Sequence, residues 1–182
     1  MTRIRQGISV SALVALLCVA TACRGAPPAE PDSAVAGACA TAHPLATAAC
    51  RDTLAQGGNA MDAAVAASAV LAVVEPTGSG MGGGGFWLVH RAEDGFEVMI
   101  DGRETAPMGA RLEHYLDAQG EPVSARSLHG PLAAGIPGQP AALDHLARQY
   151  GRLPLAASLA AAERHARDGF VLDAELAEDF VR

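Results

Sequence analysis

Between Ser79 and Gly85 the chain reads Ser-Gly-Met-Gly-Gly-Gly-Gly, five glycines in seven positions. A run so poor in side chains is entropically costly inside a helix or strand. What it permits is the approach of this backbone to a neighbouring segment closer than any Cβ would allow. Gly80 to Gly85 also satisfies G-x-G-x-x-G, the dinucleotide fingerprint, which requires a strand before it and a helix after it. The order here is reversed. An apolar, helix-like stretch from Ala60 to Val74 ends at Pro76, and the strand-like Phe86-Trp87-Leu88-Val89-His90 follows. No Gly-Lys-Ser/Thr follows, so a phosphate-cradling P-loop is excluded too. The run is a structural loop between a helix and a strand.

The surrounding pattern is mixed. Ala38 to Ala42 is a short apolar stretch that reads as a buried strand, broken by His43-Pro44. Pro44 suits the first helical position. Leu45 to Gln56 then reads as a helix closed by Gly57-Gly58, since glycine accepts the left-handed cap. Asn59 is a good N-cap for Ala60–Val74, and Asp62 places a negative charge in its first turn. That helix is apolar nearly all round, which is the signature of burial. Phe86–His90 and Phe96–Ile100 flank Arg91-Ala92-Glu93-Asp94-Gly95 as a hairpin, and Asp101-Gly102-Arg103-Glu104 lies at the end of its second strand. Glu113–Gly130 is polar and turn-rich, with a short helix around Leu112–Leu116. After the turn Gly135-Ile136-Pro137-Gly138-Gln139-Pro140 come helices over Ala141–Tyr150 and Leu155–Arg167, and a further helical pattern from Ala174 to Arg182. The sequence stops inside that last pattern, without glycine or proline, which reads as a truncation.

The 182 residues are half apolar but only 4% aromatic. A core of this composition is built from Ala, Val and Leu, with helices packed closely. A net charge of −7 without a basic stripe argues against nucleic acid. The histidines His43, His90, His114, His129, His145 and His165 show no metal-ligand spacing, and no metal or other cofactor is expected. Ser79 lacks the strand–turn–helix setting of a nucleophilic serine.

The N-terminus carries targeting chemistry. Arg3 and Arg5 precede an apolar run from Ile8 to Val19, too short to span a bilayer, and Ala20-Thr21-Ala22 fits a small-residue cleavage site. Residues 1–22 read as a signal peptide. Cys23 follows directly, as in a bacterial lipoprotein box, so lipidation at Cys23 is expected, with simple secretion or a retained anchor as alternatives. Residues 23–37, with Pro27, Pro28 and Pro31, read as a flexible tether, and residues 38–182 as the folded part. The protein is thus expected to be exported, as a bacterial periplasmic protein or a membrane-anchored lipoprotein, touching the membrane only through a lipid. Of the remaining cysteines, Cys39 and Cys50 are either one disulfide or two buried thiols.

The separated motifs agree with one another. His43-Pro44-Leu45-Ala46-Thr47, Gly57-Gly58-Asn59-Ala60, Glu75-Pro76, Ser79 to Gly85 and Asp101-Gly102-Arg103-Glu104-Thr105-Ala106-Pro107, in this order and spacing, resemble the γ-glutamyltransferase (γ-glutamyltranspeptidase) family from about Cys39 onward. Three departures stand out: Met81 where a branched aliphatic residue is usual, Cys50 where small residues are common, and Gly102 in place of a bulkier residue.

The resemblance implies an α+β fold of the N-terminal nucleophile hydrolase type, an αββα sandwich, of which only the N-terminal portion of the large subunit is present. It implies a threonine nucleophile freed by self-cleavage, forming a γ-glutamyl-enzyme from substrates such as glutathione. Thr41, Thr47, Thr53, Thr77 and Thr105 do not match that nucleophile motif, so no catalytic residue is expected within these 182 residues. The missing C-terminal part is the expected partner, beside a small γ-glutamyl substrate. Arg103 matches the arginine that holds the substrate's α-carboxylate, a task suited to the bidentate guanidinium. The plainer alternative is a surface ion pair with Asp101 or Glu104. Two other readings of the whole remain, a non-catalytic degenerate lipoprotein and a related acylase acting on β-lactam side chains.

Overall fold

The computed structural model describes residues 37–180. The signal segment, Cys23, the tether up to residue 36 and the last two residues lie outside them. The elements are α1 (Pro44–Ala55), α2 (Ala60–Val74), the strands β1 (Phe86–Arg91) and β2 (Phe96–Asp101), α3 (Ser124–Leu128), α4 (Gln139–Tyr150), α5 (Leu155–Asp168) and α6 (Ala174–Asp179). Single 3-10 turns cover Leu112–Tyr115 and Pro131–Ala133.

Local chemistry sets the helix boundaries. The His43 imidazole accepts the N–H of Leu45, and Pro44 opens α1. At α2 the Asn59 side chain accepts the N–H groups of Met61 and Asp62, while Asp62 accepts the Asn59 N–H at 2.9 Å. This reciprocal box satisfies donors that the first helical turn leaves free.

Helix α2 is the centre of the packing. Ala66, Ala69, Val70 and Val74 meet Ala46 and Ala49 of α1 and Ala162 of α5. On another side Val65 meets Val89 of β1 and Leu143, Leu146 and Ala147 of α4. Packed from both directions, the helix buries eight of its fifteen residues, which explains its near-continuous apolar sequence. Its many alanines let the neighbouring backbones approach closely.

The hairpin is antiparallel, with Phe86 opposite Asp101 and Val89 opposite Val98. Because side chains alternate across a strand, Trp87, Val89, Val98 and Ile100 turn to α2 and α4. Phe86, Leu88 and Met99 turn the other way and are exposed, Leu88 by 80%.

Two expectations need correction. Ala38–Ala42 is not a buried strand: the segment has no regular structure and Ala38, Ala40 and Ala42 are exposed. Among the described residues β1 and β2 form one two-stranded sheet and offer the segment no pairing there. It is held instead by side chains. Cys39 and Cys50 form a disulfide with their Cα atoms 6.3 Å apart, and the Thr41 and Thr47 hydroxyls meet at 2.8 Å. The second correction is α3, in a region read as turns around one short helix. Its five residues carry no side-chain N-cap bond and bury nothing.

Candidate functional site

The hairpin ladder continues one residue pair beyond its strands. Gly85 donates to the Gly102 carbonyl at 3.2 Å and Gly102 donates to the Gly85 carbonyl at 3.0 Å. Further along, Thr105 and Ile136 form an antiparallel bridge, with N–H to oxygen distances of 3.1 and 2.8 Å. The Gly83 carbonyl accepts the N–H groups of both Gly138, at 3.2 Å, and Gln139, at 3.1 Å. Three segments, 83–85, 102–105 and 136–139, are therefore laced together at the open end of β2 and the start of α4.

Glycine is required where they cross. A Cβ on Gly84 would lie 2.5 Å from the Gly102 carbonyl oxygen and 2.8 Å from the Arg103 Cα. One on Gly138 would lie 2.5 Å from the Arg103 carbonyl oxygen. One on Gly102 would meet both the Trp87 ring and the Ala142 Cβ at 2.5 Å. Trp87 occupies the space a bulkier residue at 102 would need, which accounts for the departure noted at Gly102.

Arg103 emerges from this crossing. Its own N–H is accepted by the Asp101 carboxylate at 3.0 Å, so Asp101 fixes the arginine's backbone rather than its charge. No carboxylate among the described residues lies within ion-pair distance of the Arg103 guanidinium. The ion pair with Asp101 or Glu104 is not formed. Arg103 is exposed and lines a groove of about 550 Å³ with Asp101, Ile136, Ala141 and His145. Glu104, the next residue, lines a different groove of about 490 Å³ with Ser79, Gly82, Gly84 and Gln139. Adjacent residues of an extended segment face opposite ways, and so the pair serves two grooves.

An exposed guanidinium on a fixed backbone is suited to a free carboxylate, which it can grip through two parallel bonds. No group of three His, Cys, Asp or Glu among the described residues is placed to hold a metal ion. Cys23 lies outside the described residues, and Cys39 and Cys50 are remote in function, stapling the segment before α1. What the sequence left hidden is that Gly138 meets the glycine run. The Gly135–Pro140 turn was legible, but nothing in its spacing names the partner.

A family model for gamma-glutamyltranspeptidase matches residues 46–182. A glutathione hydrolase proenzyme of Escherichia coli is 39% identical over 94% of this chain, which spans 31% of that relative's length. The gamma-glutamyltranspeptidase structure of Helicobacter pylori superposes with a TM-score of 0.77 at 38% identity, over 84% of this chain and 43% of that one. A cephalosporin acylase structure from Bacillus halodurans superposes with a TM-score of 0.66 at 34% identity, over 84% of this chain and 29% of that one. The expected α+β class, of the N-terminal nucleophile hydrolase type, holds for this chain.

Proposed function

The chain belongs to the gamma-glutamyltranspeptidase family, and from that premise we propose that it is the front part of the large subunit of an exported enzyme that cleaves γ-glutamyl amides such as glutathione. In this reading a threonine outside these 182 residues attacks the γ-carbonyl and its own α-amine takes the proton. The α-amine passes that proton to the substrate's amine as it leaves, a γ-glutamyl ester remains on the threonine, and water or an acceptor amine releases it. Arg103 holds the donor's α-carboxylate and so fixes where the γ-carbonyl lies. The observation that carries this is the Arg103 guanidinium, exposed at the rim of a groove without an ion-pair partner among the described residues.

The same proposal includes export. The signal-like residues 1–22 and Cys23 favour a periplasmic or lipid-anchored protein, and the Cys39–Cys50 disulfide suits an oxidising compartment. The test is the complete polypeptide assayed with L-γ-glutamyl-4-nitroanilide. It should split into two subunits and release 4-nitroaniline, whereas residues 1–182 alone should release none. A complete, folded polypeptide that releases none would overturn the reading.

The likeness to a cephalosporin acylase supports a second reading, an acylase acting on β-lactam side chains. Such substrates need not present an α-carboxylate, so an acylase would keep its activity when Arg103 is replaced by alanine.

A further inference from the structure

We propose that Gly84 and Gly138 are positioning residues for substrate binding, a two-sided clamp that sets where the Arg103 guanidinium stands. This rests on the reading of Arg103 as the carboxylate anchor. The two glycines belong to different segments, and each abuts the Arg103 backbone. A Cβ on Gly84 would press on the Arg103 Cα at 2.8 Å and the Glu104 nitrogen at 2.9 Å. A Cβ on Gly138 would press on the Arg103 carbonyl oxygen at 2.5 Å and on that of Gly102 from closer still. The clamp is closed by the Gly138 N–H to the Gly83 carbonyl at 3.2 Å, so the two glycine segments hold each other as well as the arginine between them.

Ordinary contact with a Cβ begins at 3.4 Å. A methyl at either glycine therefore forces the Arg103 segment to retreat by roughly 1 Å, and a displacement of that size can cost about a hundredfold where orientation matters. The backbone carbonyls and Cα that would be struck cannot rotate away as a side-chain tip can. Neither glycine has a positive φ, so the requirement is for space alone, and a substitution reports on proximity without added backbone strain.

The experiment compares the complete enzyme with Gly84→Ala, Gly138→Ala, Arg103→Ala and Gly109→Ala. Gly109 is the control, since a Cβ there meets nothing within 4 Å. Each is assayed with L-γ-glutamyl-4-nitroanilide and with the analogue whose α-carboxylate is a carboxamide. KM and the preference for the carboxylate do not depend on what fraction of the protein folds, so a poorly folding variant still reports. The clamp predicts that Gly84→Ala and Gly138→Ala each raise KM by about 10- to 100-fold and lose most of the carboxylate preference, with kcat changed much less. Gly109→Ala should match the wild type. If Arg103→Ala abolishes the preference while both clamp variants keep it, the glycines serve stability only and the inference is overturned. If Arg103→Ala itself keeps the preference, the reading of Arg103 fails instead.

Discussion

The Asp62 carboxylate accepts the backbone N–H of Arg152 at 2.9 Å, across 90 residues of sequence. The same carboxylate accepts Leu153 at 3.2 Å and Asn59 at 2.9 Å, and Asp62 is fully buried. One side chain thus caps α2 and ties the turn between α4 and α5 to it. A Cβ on Gly151 would strike an Asp62 oxygen, which is why the turn begins with glycine. Asp62→Ala strands these donors, and the complete protein should lose about 3 kcal/mol of stability, read as a lowered denaturation midpoint. An unchanged midpoint would mean that the three bonds do not operate in solution.

Ser158 on α5 is the opposite case. It is 1% exposed and its hydroxyl has no hydrogen-bond partner among the described residues. Burying an unpaired hydroxyl is unfavourable, so Ser158→Ala should stabilise the protein by about 1 kcal/mol. Destabilisation on chemical denaturation would show that the hydroxyl has a partner after all.

Asp94 in the hairpin loop accepts two bonds from the Arg91 guanidinium and one from the Phe96 N–H. The Arg91 bonds first, and then the Phe96 bond, hold its carboxyl down from 3.8 to about 2. A lowered carboxyl value contributes stability that is complete above 3.8 and fades as the pH falls through about 2. In a carboxyl NMR titration Arg91→Gln should move the Asp94 midpoint back toward 3.8, and no movement would remove the guanidinium as the cause.

The disulfide closes a short loop, Cys39 to Cys50, separated by 11 residues. Loops of this size give about 2 to 3 kcal/mol. Protein purified without reductant should therefore show no free thiol at these positions under mass spectrometry, and Cys50→Ser should unfold at lower denaturant. Full alkylation of both cysteines without reduction would contradict the bridge.

Much of this was legible in the chain because the signals are local. Pro44, Gly57 and Asn59 mark helix ends through their own backbone chemistry, and the hairpin announces itself by two β-rich runs around Gly95. Arg103 stands out as a candidate through the motif it sits in. Long-range partners were not. Nothing in the residues around Asp62 names Arg152, and nothing near Gly138 names Gly83. Ala38–Ala42 misled because apolar composition alone does not provide a strand to pair with. The short α3 was missed because five exposed residues leave no hydrophobic period to detect.

The central claim is that Arg103 anchors the α-carboxylate, and the direct measurement is the KM of the complete enzyme and of Arg103→Lys for L-γ-glutamyl-4-nitroanilide. Lysine keeps the charge and loses the two-pronged grip. Bonds of this charge-assisted kind are worth about 1.5 to 3 kcal/mol, so KM should rise roughly 10- to 100-fold. A KM unchanged by the substitution would contradict the account and take Arg103 out of the site.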